Sequence, residues 1–102
     1  NTHLAIGDFE NAVTGYRAAV ALDPLFFDGW HALGMALLKL GKVKEAIGCG
    51  LQATILKPND LLAWTSLSQM YVQDGQIAEA ETAKGNARIL SLGGRVDRSA
   101  ES

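Results

Sequence analysis

Residues 27–60 read FDGWHALGMALLKLGKVKEAIGCGLQATILKPND, and residues 61–94 read LLAWTSLSQMYVQDGQIAEAETAKGNARILSLGG. Laid over one another, the two stretches align Trp30 with Trp64, Leu33 with Leu67, Gly41 with Gly75, Ala46 with Ala80, Ala53 with Ala87 and Leu56 with Leu90. The same interval reaches backwards, because Gly7, Ala12, Ala19, Leu22 and Pro24 each lie one period before Gly41, Ala46, Ala53, Leu56 and Pro58. One such pair is a coincidence. A register of small, apolar and turn residues is an internal repeat, and its period falls within the roughly 20–50 residues that mark a solenoid or an array.

The content of one period gives its shape. In 27–40, Trp30, Leu33, Leu37 and Leu40 form an apolar stripe at helical spacing. Gly41 stops that helix and permits a tight turn. In 43–56, Val43, Ala46, Ile47, Ala53 and Leu56 form a second stripe, and Pro58 prevents further helix. Asn59 and Asp60 offer a start cap for the next unit. Leu61 to Val72 then repeats the first helix through Trp64, Leu67 and Tyr71, Gly75 turns the chain, and Ile77 to Leu90 repeats the second helix. Each unit is an αα-hairpin that cannot bury both faces alone, so hairpins stack. The fold class is all-α. Ala12, Ala46 and Ala80 mark the closest approach of paired helices, where Ala46→Leu should overpack by ~1–3 kcal/mol.

Composition bounds the function. The chain has 102 residues, of which 48% are hydrophobic and 20% charged, as in a single folded domain. Nine Lys and Arg against eleven Asp and Glu leave a net charge of −2, so the clustered positive charge that nucleic acid requires is missing. The longest uncharged stretch, Leu61 to Gln73, falls well short of the ~20 apolar residues of a membrane span. One cysteine excludes an internal disulfide framework and a multi-cysteine zinc site.

These residues resemble the tetratricopeptide repeat family, whose pattern runs W-x2-L-G-x2-Y, then A-x3-F, then P. The middle unit supplies Trp30, Leu33, Gly34, Leu37, Ala46 and Pro58; the third supplies Trp64, Leu67, Tyr71 and Ala80; the first supplies Ala12, Tyr16 and Pro24 but lacks its front half. The resemblance covers residues 1–91 and implies a right-handed superhelical solenoid with repeats at about 1–26, 27–60 and 61–92. Residues 93–102 then form a flexible polar tail. The chain departs from the pattern at Gly50 and Lys84, where an aromatic is usual, at Ser68 in place of the glycine, and at Leu92 in place of the last proline. Gly93 and Gly94 offer a helix stop there, and Lys84, Asn86 and Arg88 make the last helix more polar than its predecessors. The first unit opens mid-helix, leaving Thr2 to Ile6 to pair with Phe9 to Leu22 and exposing an N-terminal apolar edge suited to a partner or a second copy. A chain opening on Asn reads as an excerpt or a processed product.

Catalytic chemistry finds little support. Cys49 lies inside a helical segment with no histidine nearby in sequence and reads as a buried structural thiol, a thiol-dependent enzyme or regulator being the lesser alternative. Gly48-Cys49-Gly50-Leu51-Gln52-Ala53 matches G-x-G-x-x-A formally, but a dinucleotide site needs a strand before it and a helix start after it. The missing side chain at Gly50 is expected to be filled from within the fold. His3 and His31 are too far apart to imply a metal pair. Phe26 and Phe27 follow a proline turn, and at least one should staple the helix start rather than serve as an exposed anchor. No cofactor is implied.

The resemblance implies a concave face lined by the first helix of each hairpin. The matching positions are Asp28, His31, Met35, Leu38 and Lys39, then Leu62, Thr65, Gln69, Val72 and Gln73, with Asn1 and Ala5 extending the surface. Members of the family that bind chaperone tails hold a carboxylate with a Lys/Arg/Asn clamp. Here the corresponding places hold His31, Ala32, Met35, Leu62 and Ser66, with only Lys39 basic nearby, so an acidic chaperone tail is not expected. The expected function is that of a non-catalytic protein–protein interaction scaffold, cytoplasmic by default, which takes a partly apolar peptide or helix with Met35 as an adaptable contact. Met35→Glu with Leu62→Glu should then abolish binding. The alternative is an obligate subunit or homo-oligomer that uses the N-terminal edge.

Overall fold

The computed structural model of the chain describes residues 2–96, with side-chain surroundings from residue 7 onward. Its elements are α1 (Thr2–Leu22), α2 (Phe27–Lys39), α3 (Val43–Leu56), α4 (Leu61–Gln73) and α5 (Ile77–Ser91), and no strand occurs among the described residues. Helix α2 pairs with α3 and α4 with α5, while α1 packs on α2 and α4 on α3. The stack measures 48 × 31 × 19 Å.

The glycine turns recur in atomic detail. Gly41 and Gly75 take φ of +80° and +78°, a left-handed conformation that L side chains resist. Around Gly41, the Lys42 amide donates to the Leu37 carbonyl and the Gly41 amide to Leu38. Around Gly75, the Gln76 amide donates to Tyr71 and the Gly75 amide to Val72. Both are Schellman closures of the preceding helix. Gly93 (φ +89°) ends α5 the same way, with Gly94 donating to Ile89 and Gly93 to Leu90.

Gly7 does not follow this pattern. Helix α1 runs unbroken from Thr2 to Leu22, so the expected short helix paired with Phe9 to Leu22 does not form. Continuing the helix gains a hydrogen bond per residue, against ~1 kcal/mol for glycine in a helix.

The proline turns are strapped by the tryptophans. The Trp30 indole Nε1–H donates to the Pro24 carbonyl (2.8 Å) and Trp64 repeats the bond to Pro58 (2.7 Å). Each ring is half-buried against the core and ties the turn to the helix that follows. The Asp60 carboxylate caps α4 by accepting from the Ala63 amide (3.0 Å). Asn59 Oδ1 accepts from the Val96 amide (2.9 Å), joining the segment after α5 to this turn. The rest of the tail, 97–102, lies outside the described residues.

The core follows the small residues. Ala46 is fully buried and Ala80 nearly so, as expected at a close helix approach, whereas Ala12 on α1 is half-buried. A methyl at Gly34 would stand 3.4 Å from the Ala46 carbonyl oxygen. In the next hairpin, Ser68 Oγ donates to the equivalent Ala80 carbonyl at 3.2 Å. Leu33, Leu37, Leu67 and Met70 fill the space between hairpins. The side chain absent at Gly50 is replaced from within: a methyl there would meet Met70 Sδ at 2.9 Å and Leu67 Cδ1 at 3.1 Å. Two ion pairs tie helices together near the surface, Arg17–Glu45 (2.6 Å) between α1 and α3, and Lys44–Asp74 (3.1 Å) between α3 and the end of α4.

Candidate functional site

The ten expected positions of the first-helix face form five equivalent pairs: Asp28 with Leu62, His31 with Thr65, Met35 with Gln69, Leu38 with Val72 and Lys39 with Gln73. They are one face seen twice, and its two copies have different fates.

On α2 this face turns towards α4. His31 shares a hydrogen bond with Ser66 Oγ (2.9 Å), and Met35 is half-buried against the core. Leu38, expected in the groove, is only 7% exposed and belongs to the core, because α4 occupies the space in front of α2. Asp28 and Lys39, at the two ends, remain exposed. His31 also stacks on Phe27 (6.1 Å between ring centroids, planes 16° apart), and Lys57 Nζ lies 4.6 Å from the Phe27 centroid. Cation, ring, imidazole and hydroxyl thus run in series between the α3–α4 turn and α2, ending at Ser66 on α4. Phe26 is spent locally as well, since its ring fills the space beside Gly29 and close to Val20.

On α4 the same face is open. Leu62 is 57% and Val72 55% exposed, and Thr65, Gln69 and Gln73 lie between and beside them at the surface. Thr65, Gln69, Val72 and Gln73 line one wall of a groove of about 440 Å³. The other wall comes from α5 through Ala80, Glu81, Lys84 and Ala87, with Ser68 at its base. The structure therefore unites four of the ten expected residues in one groove, and the α2 set lies elsewhere. Asn1 lies outside the described residues, as do the side chains of His3 and Ala5.

The α5 wall was not foreseen, although a signal for it existed. Ala80, Glu81, Lys84 and Ala87 stand one period after Ala46, Ile47, Gly50 and Ala53, all of them buried in the preceding hairpin. Buried positions of one repeat become a surface wherever the next repeat does not cover them.

The surroundings shift Cys49, Tyr71 and Asp74. Cys49 is buried, and that burial pushes its thiol up, with Arg17 pulling it down and Glu45 adding to the rise. A thiol held protonated is a poor nucleophile. Burial likewise raises the Tyr71 phenol, with Glu79 adding to it. Asp74 is held low by the hydrogen bonds from the Gln76 amide (2.6 Å) and Lys44. Among the described residues, no group of His, Cys, Asp and Glu side chains could hold a metal ion. Nor is any helix among them long and apolar enough to cross a membrane.

Two family models match the chain, one described as TPR repeat over residues 1–41 and one as Tetratricopeptide repeat over residues 27–60. The Tetratricopeptide repeat-containing protein trd-1 of Caenorhabditis elegans is 32% identical over 80 residues, covering 76% of this chain and 10% of that protein. Anaphase-promoting complex subunit 3 of Schizosaccharomyces pombe is 28% identical over 69 residues, 68% of this chain and again 10% of the relative. The chain thus spans about a tenth of the length of these curated relatives. Among solved structures, MamA from AMB-1 superposes with a TM-score of 0.80 at 28% identity, over 90% of this chain and 54% of that one. The Yersinia enterocolitica type III secretion translocator chaperone SycD shares the fold, with a TM-score of 0.77 at 23% identity over 82% of this chain and 64% of that one. The chain belongs to the tetratricopeptide repeat family.

Proposed function

We propose that this tetratricopeptide repeat chain is a protein-interaction scaffold that takes a partly apolar peptide or helix of another protein on its first-helix face, chiefly at α4, and performs no catalysis. The observation that carries the reading is the open copy of that face. Leu62 and Val72 are large apolar side chains more than half exposed on a helix whose other side is core, flanked by the uncharged Thr65, Gln69 and Gln73. Such a strip offers dehydration energy together with hydrogen-bonding groups that set register.

Met35 packs against the core, so a charge there would strain the fold as well as the face. Leu62→Glu with Val72→Glu is the cleaner perturbation, because both side chains stand in solvent. Proteins captured by the native chain should be lost to this double variant while its circular dichroism and melting curve stay unchanged. Capture of the same proteins in the same yield would refute the assignment.

A second reading rests on α1. It packs chiefly on α2 and leaves Tyr16 partly exposed and Leu22 almost wholly so. An obligate subunit or homo-oligomer would cover that N-terminal edge. Light scattering separates the readings, since a monomer at high concentration excludes self-association through α1.

A further inference from the structure

A second depression lies on another face of α4, away from Leu62 and Val72. Trp64, Leu67 and Tyr71 line its floor, Leu51 of α3 stands on one bank, and Glu79, Ala83 and Asn86 of α5 stand on the other. The cleft holds about 250 Å³, and α3 and α5 make no contact of their own across it. One period earlier the same cleft recurs between α1 and α3 over α2. There Arg17, Trp30, Leu33 and Cys49 occupy the places of Leu51, Trp64, Leu67 and Ala83. That first copy stays open although a complete hairpin, α4 with α5, is stacked after it. The cleft is therefore a property of the repeat and not of a chain end, and a hairpin stacked on α4 and α5 would leave the second copy open in the same way.

The two copies differ in one charge. In the first, Arg17 lines the cleft from α1, and its guanidinium reaches Glu45 near the start of α3 (2.6 Å). One period on, Glu45 is kept as Glu79, but Arg17 is replaced by Leu51. Glu79 is exposed, has no ion-pair partner among the described residues, and is the one charged side chain that lines the second cleft. Its charge adds to the rise of the Tyr71 phenol, which sets it beside that ring. Leu51 stands exposed in the place of the arginine, and Ile55, one turn further along α3, is more exposed still.

The first copy shows what fits the second. An apolar side chain laid over the cleft would cover Glu79 without pairing it, and a carboxylate shielded from water and unpaired is costly. A second acid would be repelled. An arginine has a hydrocarbon stem that can lie on Leu51 and Trp64, and a planar guanidinium that can meet the carboxylate with charge-assisted bonds.

We infer that the cleft between α3 and α5 binds an arginine side chain of a partner protein, presented among apolar neighbours that rest on Leu51 and Ile55, with Glu79 as its counter-charge. This adds a contact on a different face from the one proposed above, and does not depend on it.

The test titrates the isotope-labelled full chain with two end-blocked tripeptides and follows amide and indole NMR shifts. One tripeptide carries arginine between two leucines. The other carries citrulline there, which keeps the shape and removes the charge. The arginine peptide should shift Leu51, Ala83 and the Trp64 indole, approach saturation by about 10 mM, and bind about threefold or more tightly than the citrulline peptide. Glu79→Gln should abolish that preference. Leu51→Arg, which supplies the cation within the chain, should weaken the arginine peptide by about threefold or more. Equal affinities, a preference untouched by Glu79→Gln, shifts confined to other helices, or no saturation would overturn the inference. So would a self-dimer that Glu79→Gln dissociates, or binding that emerges only after Arg98→Gln, since the occupant would then be a second copy or this chain's own tail. Leu62→Glu with Val72→Glu leaves the cleft intact, so the first-helix reading and this one fail separately.

Discussion

Met70→Ala should be among the most destabilising single substitutions in the chain. Met70 is fully buried and lies between two glycines, its Cε against Gly34 and its Sδ against Gly50. Truncating a buried Met, Leu or Ile to Ala costs ~2–5 kcal/mol, and the spread reflects how far the surroundings collapse into the space. Here two of the walls are helix backbone at glycine, with no side chain that could swing inward, so the cost should fall in the upper part, about 3–5 kcal/mol. A chain of this size has roughly 5–15 kcal/mol in all. In urea, followed by circular dichroism, the midpoint should drop by about 1.5–2.5 M. A second arm isolates the cause. In the native background Gly50→Ala gains ~1 kcal/mol of helix propensity but drives a methyl into Met70 and Leu67, so little net gain is expected. In the Met70→Ala background the obstruction from Met70 is gone, and the same substitution should stabilise by about 1 kcal/mol or more. A loss below about 1 kcal/mol for Met70→Ala, or an equal effect of Gly50→Ala in both backgrounds, would refute the account of how this slot is filled.

Three further outcomes follow from the geometry. Trp64→Phe and Trp30→Phe each remove an indole bond to a proline carbonyl, and each should cost ~1–2 kcal/mol by urea denaturation; a difference much larger than this between them would show that the two straps are not equivalent. Because Asp74 is held below the usual carboxylate range by Gln76 and Lys44, it contributes stability that is intact above about pH 3.9 and is lost as pH falls through its lower folded value. Asp74→Asn should therefore flatten the fall in melting temperature between about pH 5 and pH 2, and an unchanged slope counts against the bond set. Cys49, buried with its thiol pushed up, should react with a disulfide reagent about a hundredfold or more slowly in buffer than in urea; comparable rates would mean the thiol is open.

The sequence carries the helices almost to the residue, because each boundary has a local chemical cause. Pro24 and Pro58 forbid continuation, Asp60 caps, and Gly41 and Gly75 accept the left-handed turn. Gly7 misleads because a glycine only permits such a turn. At Gly7 the helix runs on instead, since a glycine inside a helix costs it only ~1 kcal/mol. The first-helix face is legible as a register, yet whether a given copy of it is covered depends on the neighbouring hairpin, which is why Leu38 is core and its equivalent Val72 is surface. The α5 wall escaped for a related reason. Glu81 and Lys84 read as solvated charges on an amphipathic helix, and only the buried state of Ile47 and Gly50 reveals that their positions face along the stack. The indole–proline bonds rest on the spacing and orientation of ring and turn, which residue types alone do not display.

Packing among the described residues passes mainly between helices adjacent in sequence. Folding can then advance step by step from any hairpin, with little loop closure to oppose it. A partner helix held on α4, as proposed above, would act as one more step of that growth. Its binding energy would appear first as slower amide exchange in α5 and only with attenuation in α1, so the chain would report an occupant by a gradient of protection along its axis rather than by a change of shape.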